Sequence, residues 1–210
     1  MGETTKMRDY SEAEVLIVKR SFAESIRATV QELFLERLVV VAGGCVRDIL
    51  KACPPKDYDV FILGCENPNE MKEEIAKRLA DAKFQAAGNV HHISEPYLAG
   101  TYLVGGYHVQ VMASDYKSMD ELIDSFDWNV SRFAFDGERI IGEWTGEIGT
   151  GGTLKLHKLT FPYSTLRRGF RFSERFRMNL PLETVEQICE AILKLKKERE
   201  EKREEGPEHA

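Results

Sequence analysis

Apolar residues recur at two different periods along the chain, and the switches between them mark out the elements. From Glu12 to about Glu36 they fall every three or four positions, the spacing of one helical face. Ser11 followed by Glu14 adds a capping-box signature at the start. The stretch predicts one long helix, or a helix broken once. Leu38-Val39-Val40-Val41-Ala42 is instead an unbroken apolar run of strand length that stops at Gly43-Gly44. Cys45 to Ala52 reads as a helix, ended by Pro54-Pro55. Asp57 to Leu63 predicts a second strand, and Asn69 to Ala82 an amphipathic helix. Tyr97 to Ala113 holds two strand-like runs around Gly105-Gly106, the mark of a hairpin. Met119 to Phe126 predicts a short helix. Trp128 to Phe135 and Glu138 to Trp144 are further short apolar runs.

The stretch Gly146 to Gly152 carries four glycines and predicts a loop, so a domain boundary is expected there. Residues 1–152 would form an α/β head with its N-terminal helix. Residues 153–210 would form a basic helical segment and a charged C-terminal helix. Composition changes across that loop: residues 153–177 hold seven Lys or Arg against one Glu, in a chain whose net charge is −6. Phe161, Phe170, Phe172 and Phe176 in this part are expected in a core. Leu182 to about Glu205 reads as a helix. Its end, KKEREEKREE, alternates in sign and predicts a solvated surface rather than a dedicated RNA-binding tail.

The bulk charge argues against a globally basic nucleic-acid binder and leaves room for a local basic patch. Cys45, Cys53, Cys65 and Cys189 form no CxxC pair, so neither a zinc site nor a disulfide framework is indicated. A reducing cytoplasm fits that usage. The polar N-terminus has no signal-peptide core. MGETTK fits the loose myristoylation pattern at Gly2, but no second membrane signal accompanies it, and no run is long enough to cross a bilayer. No membrane partner is expected.

The sharpest chemistry lies in Lys56-Asp57-Tyr58-Asp59-Val60. On a strand, alternate side chains share a face, so Asp57 and Asp59 project together while Tyr58 and Val60 face the other way. Two adjacent carboxylates repel unless a cation or a raised pKa relieves them. Hard divalent ions suit such a pair and leave positions open for phosphate. The plainer alternative is a strand end with two solvated acids. Gly43-Gly44 shifts the balance. Glycines let a backbone approach a phosphate, and the following helix start offers N–H groups. Arg47 and Asp48 lie on that helix, either at the phosphate and the loop or in an ordinary salt bridge. His108 shares strand and face with Gln110 and can reach the same place. His91-His92 with Glu95 could ligate a metal or be surface histidines. Tyr97, Tyr102 and Tyr107 could stack a base, although strand tyrosines usually pack a sheet.

VVVAGGCVRDIL followed by PPKDYDVFIL resembles the head domain of class II CCA-adding enzymes and bacterial poly(A) polymerases, in the DNA polymerase β superfamily, which read as strand, GGxVRD, then a DxD strand. The segment from Phe126-Asp127-Trp128 to Asp136 is similar to the family's RRD-plus-asparagine segment, which holds the ribose and phosphates. Asp127 and Asp136 match; Ser125 and Phe126 replace the arginines and Ser131 the asparagine. Arg168-Gly169-Phe170-Arg171-Phe172-Ser173-Glu174-Arg175 is similar to the family's LRAxRFxxR helix, matching at Arg168, Arg171 and Arg175. The resemblance spans about residues 37 to 190. It implies an α+β fold: a polymerase β-like nucleotidyltransferase head, a mixed sheet with flanking helices, plus a helical neck-like appendage. It implies Mg²⁺ (or Mn²⁺) at Asp57 and Asp59 as the catalytic pair. The NTP would be held by Gly43, Gly44, Arg47, Asp48, Asp127, Arg168 and Arg171. The acceptor would be an RNA 3′ end, as in tRNA processing. Two departures qualify this. The base-selecting EDxxR motif would fall on Phe161 to Thr165, which reads Phe-Pro-Tyr-Ser-Thr. The carboxylate of the next active-site strand falls on Gln110. The chain also ends before tRNA-gripping body and tail domains. The expectation is therefore a minimal, phage-like relative with its own acceptor. A binding protein without turnover and a transferase acting on a protein remain open.

Overall fold

The computed structural model describes residues 10–82, 84–87, 98–143 and 151–204, with side chains to residue 201. The Gly2 pattern, His91-His92 with Glu95, Tyr97 and most of the Gly146–Gly152 stretch lie outside the described residues. The chain divides into two compact units, residues 1–126 with 131–144, and residues 127–130 with 145–210.

The first unit contains helices α1 (Glu12–Lys19), α2 (Phe22–Leu33), α3 (Gly44–Leu50), α4 (Pro68–Asp81) and α5 (Met119–Asp124). Its strands are β1 (Val39–Ala42), β2 (Asp57–Ile62), β3 (Gln85–Ala86), β4 (Leu98–Val104), β5 (Tyr107–Ala113), β6 (Phe133–Phe135) and β7 (Ile140–Gly142). The expected N-terminal helix is broken at Arg20-Ser21. Ser11 caps α1 through the full capping box, its side chain accepting from the Glu14 N–H.

The strands form one mixed sheet, ordered β3-β4-β5-β2-β1-β6-β7. Among the described strands of this sheet, β2 and β5 pair in parallel and the other neighbours pair antiparallel. The β4–β5 hairpin turns through Gly105 and Gly106, both at positive φ, which glycine adopts at little cost. Alternation along the strands gives the sheet two apolar faces. On one, Val39, Val41, Tyr58, Val60, Ile62, Val109 and Val111 pack with Val18, Ile26, Val30, Ile75 and Leu79 of α1, α2 and α4, and with Phe34 just after α2. Each such buried aliphatic side chain contributes about 1.5–3 kcal/mol. On the other, Val40, Ala42, Phe61 and Met112 pack with Met119, Leu122 and Ile123 of α5.

The second unit contains α6 (Pro162–Phe176) and α7 (Leu182–Glu204). α6 begins with proline in its first turn and stops at Arg177, in the left-handed region at φ 50°. Trp128, Val130, Leu154, Phe172, Phe176, Met178 and Ile188 form its core. Two expected core residues are not there: Phe161 is 41% exposed and Phe170 is 55% exposed. Phe170 lies two residues from Phe172, on the opposite side of a helix, so only one of the two can face inward.

Among the described residues, no helix is long and apolar enough to cross a membrane.

Candidate active site

The face of the sheet that carries Phe61, Met112 and α5 continues, at its other end, into polar side chains. Asp57 and Asp59 are half-buried while Tyr58 and Val60, between and after them, are buried in the core of the opposite face. The two carboxylates therefore share one face, as strand alternation requires. Across the parallel pairing, Asp57 is level with His108 and Asp59 with Gln110. His108 is exposed and Gln110 half-buried. In the other direction, Asp59 is level with Ala42, the last residue of β1. A methyl group there keeps the ground beside Asp59 low.

β1 ends in a bend that places Gly43 against the acids. Gly43 sits at φ 82° and ψ −146°, a conformation that side-chain-bearing residues rarely adopt. A Cβ built on Gly43 would lie 3.4 Å from Asp59 Oδ2. The backbone thus runs in contact range of the carboxylate with nothing in between. The Gly43 N–H donates to the Phe133 carbonyl at 2.7 Å, which ties the bend to β6. Gly44 then opens α3.

Arg47 and Asp48 are buried and paired, with Arg47 Nε and Nη2 donating to Asp48 Oδ1 at 2.8 and 2.6 Å. A Cβ on Gly44 would stand 3.0 Å from Arg47 Nη2. The guanidinium therefore lies under the diglycine backbone and supports it.

Cys45 was not singled out in the sequence as part of this site, yet it sits beneath the acids. Its thiol is buried and donates to the Ala42 carbonyl at 3.3 Å. Burial, followed by the negative charges of Asp59 and Asp57, pushes its pKa far above the ordinary thiol value.

The tyrosines divide. Tyr102 is buried and packs edge-on to Phe84, with ring centroids 5.8 Å apart. Tyr107 is partly exposed and lies against Phe22 and Tyr58, at 4.8 and 5.5 Å.

Asp127, Arg168 and Arg171 belong to the second unit. Asp127 is buried, and its Oδ2 accepts from Thr165 Oγ1 at 3.0 Å and from Arg168 Nε at 2.8 Å. Arg168 Nη2 lies 2.6 Å from the same oxygen. Trp128 Nε1 donates to the Thr165 carbonyl at 3.0 Å, fixing the same turn of α6. The Arg168 side chain stays 31% exposed beyond this anchor. Arg171 is on the exposed side, its guanidinium carbon 5.8 Å from the Phe172 ring centroid.

The donor set suits a hard divalent ion. Among the described residues no group of three His, Cys, Asp or Glu gathers at one place. Two carboxylates with an open side are what Mg²⁺ uses when phosphate oxygens complete its shell.

The family model described as Gabija anti-defense 2 family protein matches residues 17–143, more than half of the chain and all of the acid-bearing region. The chain belongs to the Gabija anti-defense 2 family. No curated protein matches this family member. Among solved structures, it is similar to a CCA-adding enzyme in apo form I, with TM-score 0.60 and 19% identity over 92% of this chain and 47% of that one. A complex of a CCA-adding enzyme with ATP gives TM-score 0.58 and 20% identity over 92% and 48%. The Thermotoga maritima CCA-adding enzyme complexed with tRNA gives TM-score 0.59 and 17% identity over 88% and 46%. The Gabija anti-defense 2 chain thus spans about half the length of these structures, and at such identities the likeness establishes the fold. That fold is α+β and nucleotidyltransferase-like, as the sequence resemblance implied. The family is a different one from the CCA-adding enzymes.

Proposed function

We propose that this protein transfers a nucleoside monophosphate from an NTP to an acceptor hydroxyl, with Asp57 and Asp59 as the catalytic pair. The observation that carries the reading is their shared face on β2, with Asp59 Oδ2 3.4 Å from the position a Gly43 side chain would occupy. Asp57 and Asp59 would hold Mg²⁺ or Mn²⁺, and such an ion supplies charge neutralisation and polarisation of phosphoryl oxygens. The diglycine bend would seat the triphosphate. Because the Gly43 N–H is already given to Phe133, that task falls to amides further into the bend, which a helix start leaves without intrahelical partners. Arg47 and Asp48 hold the bend in place from below. The acceptor hydroxyl oxygen attacks the α-phosphorus and releases its proton to solvent, the bond from that phosphorus to the oxygen bridging the β-phosphate breaks, and pyrophosphate leaves. Catalysis of this kind is mostly positioning and electrostatics.

Asp127 acts as a positioning residue for Arg168, whose remaining exposure leaves its guanidinium open to phosphate. An RNA acceptor is supported by one face of α6. Tyr163, Arg167, Arg171 and Arg175 follow one another at four-residue intervals and are all exposed. Such spacing makes a single stripe, with steps of about 6 Å along the helix. Arginine and aromatic side chains together suit single-stranded nucleic acid.

A second reading, a protein acceptor, is favoured by the family description: a Gabija anti-defense protein could act by modifying a component of the defence it opposes. One experiment separates the two. The protein is incubated with each labelled NTP, Mg²⁺ and total cellular RNA and protein, and the products are sized. Label on RNA supports the first reading and label on a protein band the second. ATP binding without any pyrophosphate release would reduce the protein to a nucleotide-binding relative.

A further inference from the structure

Three neighbouring strands set a row of side chains across the candidate site. Thr101 on β4 is level with Gln110 on β5, and Gln110 is level with Asp59 on β2. Register partners on adjacent strands project to the same face, close enough for their side chains to meet. The next row inward along this face on β2 and β5, Phe61 and Met112, is packed under α5. The row outward, Asp57, His108 and Leu103, reaches solvent. The Thr101–Gln110–Asp59 row thus lies where apolar packing ends and the open site begins.

Thr101 carries an unresolved polar demand. It is 9% exposed, and its buried Oγ1 has no hydrogen-bond partner among the described residues. Buried hydroxyls are normally satisfied, so this orphan at the site edge points to a neighbouring side chain that turns to it when the site is filled. Gln110 is placed to be that partner. A primary amide has two unlike ends: a carbonyl oxygen that can ligate a hard cation, and an NH₂ that can only donate. Turned one way, it aims the oxygen at a cation held beside Asp59 and gives an NH₂ hydrogen to Thr101 Oγ1.

Resting on the nucleotidyl-transfer reading of Asp57 and Asp59, we infer that Gln110 is the third, neutral oxygen ligand of the divalent ion those acids hold, oriented by a hydrogen bond from its Nε2 to Thr101 Oγ1. Among the described residues no third His, Cys, Asp or Glu joins the pair, and the side chain level with Asp59 on β5 is the Gln110 amide. A neutral third ligand leaves two negative charges on the protein rather than three. A divalent ion is then balanced before nucleotide arrives, and an incoming triphosphate meets less repulsion than a third carboxylate would impose. The site takes the ion weakly by itself and well together with the triphosphate.

The test is a Mn²⁺ titration of the nucleotide-free full chain, read by electron paramagnetic resonance, with melting curves to show that each variant folds. Gln110→Glu should bind Mn²⁺ at least about ten-fold more tightly than the natural protein, because it adds a charge at the ion. Thr101→Val should bind several-fold more weakly, and Thr101→Ser should restore the natural affinity. In the Gln110→Glu background, Thr101→Val should change little, since a carboxylate has two equivalent oxygens and needs no orienting. This non-additivity is the signature of the orienting hydrogen bond. If a Thr101→Val chain does not fold, Thr101→Ala answers the same question. Equal affinities for the natural protein, Gln110→Glu and Thr101→Val, with binding lost in Asp59→Asn, would overturn the inference and leave the acid pair standing. Unchanged binding in an Asp57→Asn, Asp59→Asn double variant would overturn both.

Discussion

The acids of β2 and the acid that opens the second unit are treated very differently by their surroundings. Asp127 is buried, and one of its oxygens takes a hydroxyl and a guanidinium from α6. Its charge holds a helix in place. Asp57 and Asp59 stand half-buried on one face, beside a backbone bend stripped of side chains and a neutral amide. Like charges placed side by side repel each other, and carboxylates kept together on a face open to one side are where chemistry is to be sought.

Predictions that break this comparison begin in the second unit. Asp127→Ala should destabilise the chain by roughly 2–4 kcal/mol, leaving Thr165 and the partly exposed Arg168 without their acceptor. Urea unfolding measures this. A loss under about 0.5 kcal/mol would mean that Asp127 is not the anchor described. Two glycines sharpen the contrast. A Cβ on Gly169 would meet Trp128 Cζ2 at 2.6 Å, so Gly169→Ala should cost roughly 1–3 kcal/mol by overpacking. Its turnover, measured where the variant is folded, should change little. Gly43→Ala should cost about 1–2 kcal/mol through its unfavourable backbone conformation, and should reduce turnover far more than that loss explains. Similar turnover in the two variants would remove the reason for placing the triphosphate at Gly43-Gly44.

Much of the first unit was legible because its signals are local. Strand alternation in Asp57–Ile62 fixed which side chains face together, and Gly105-Gly106 marked the hairpin turn. What escaped depends on long-range pairing. Nothing local tells that β5 runs parallel to β2: Gln110 was placed near the acids only through the family resemblance, and the continuation of the row to Thr101 had no sequence signature. Cys45 looked like an ordinary helix residue until the pairing of β1 with β2 brought Asp57 and Asp59 near it. The segment 127–130 could not be assigned to the second unit, because its partners Leu154, Lys155 and Thr165 lie 24 or more residues on. Phe161 and Phe170 were misjudged for a different reason. Phe161 precedes the helix as its N-cap, Phe170 and Phe172 stand two residues apart and cannot share a helix face, and hydrophobicity alone does not say which will turn outward.

The most direct measurement is pyrophosphate release from NTP and Mg²⁺ by Asp57→Asn, Asp59→Asn and Asp127→Asn, compared at equal folded fraction. The two β2 variants should each lose at least about 100-fold in rate, while Asp127→Asn, which keeps an acceptor for Arg168 and Thr165, should lose less than about ten-fold. Near-natural rates in both β2 variants, or an equal collapse in all three, would contradict the assignment of the chemistry to Asp57 and Asp59.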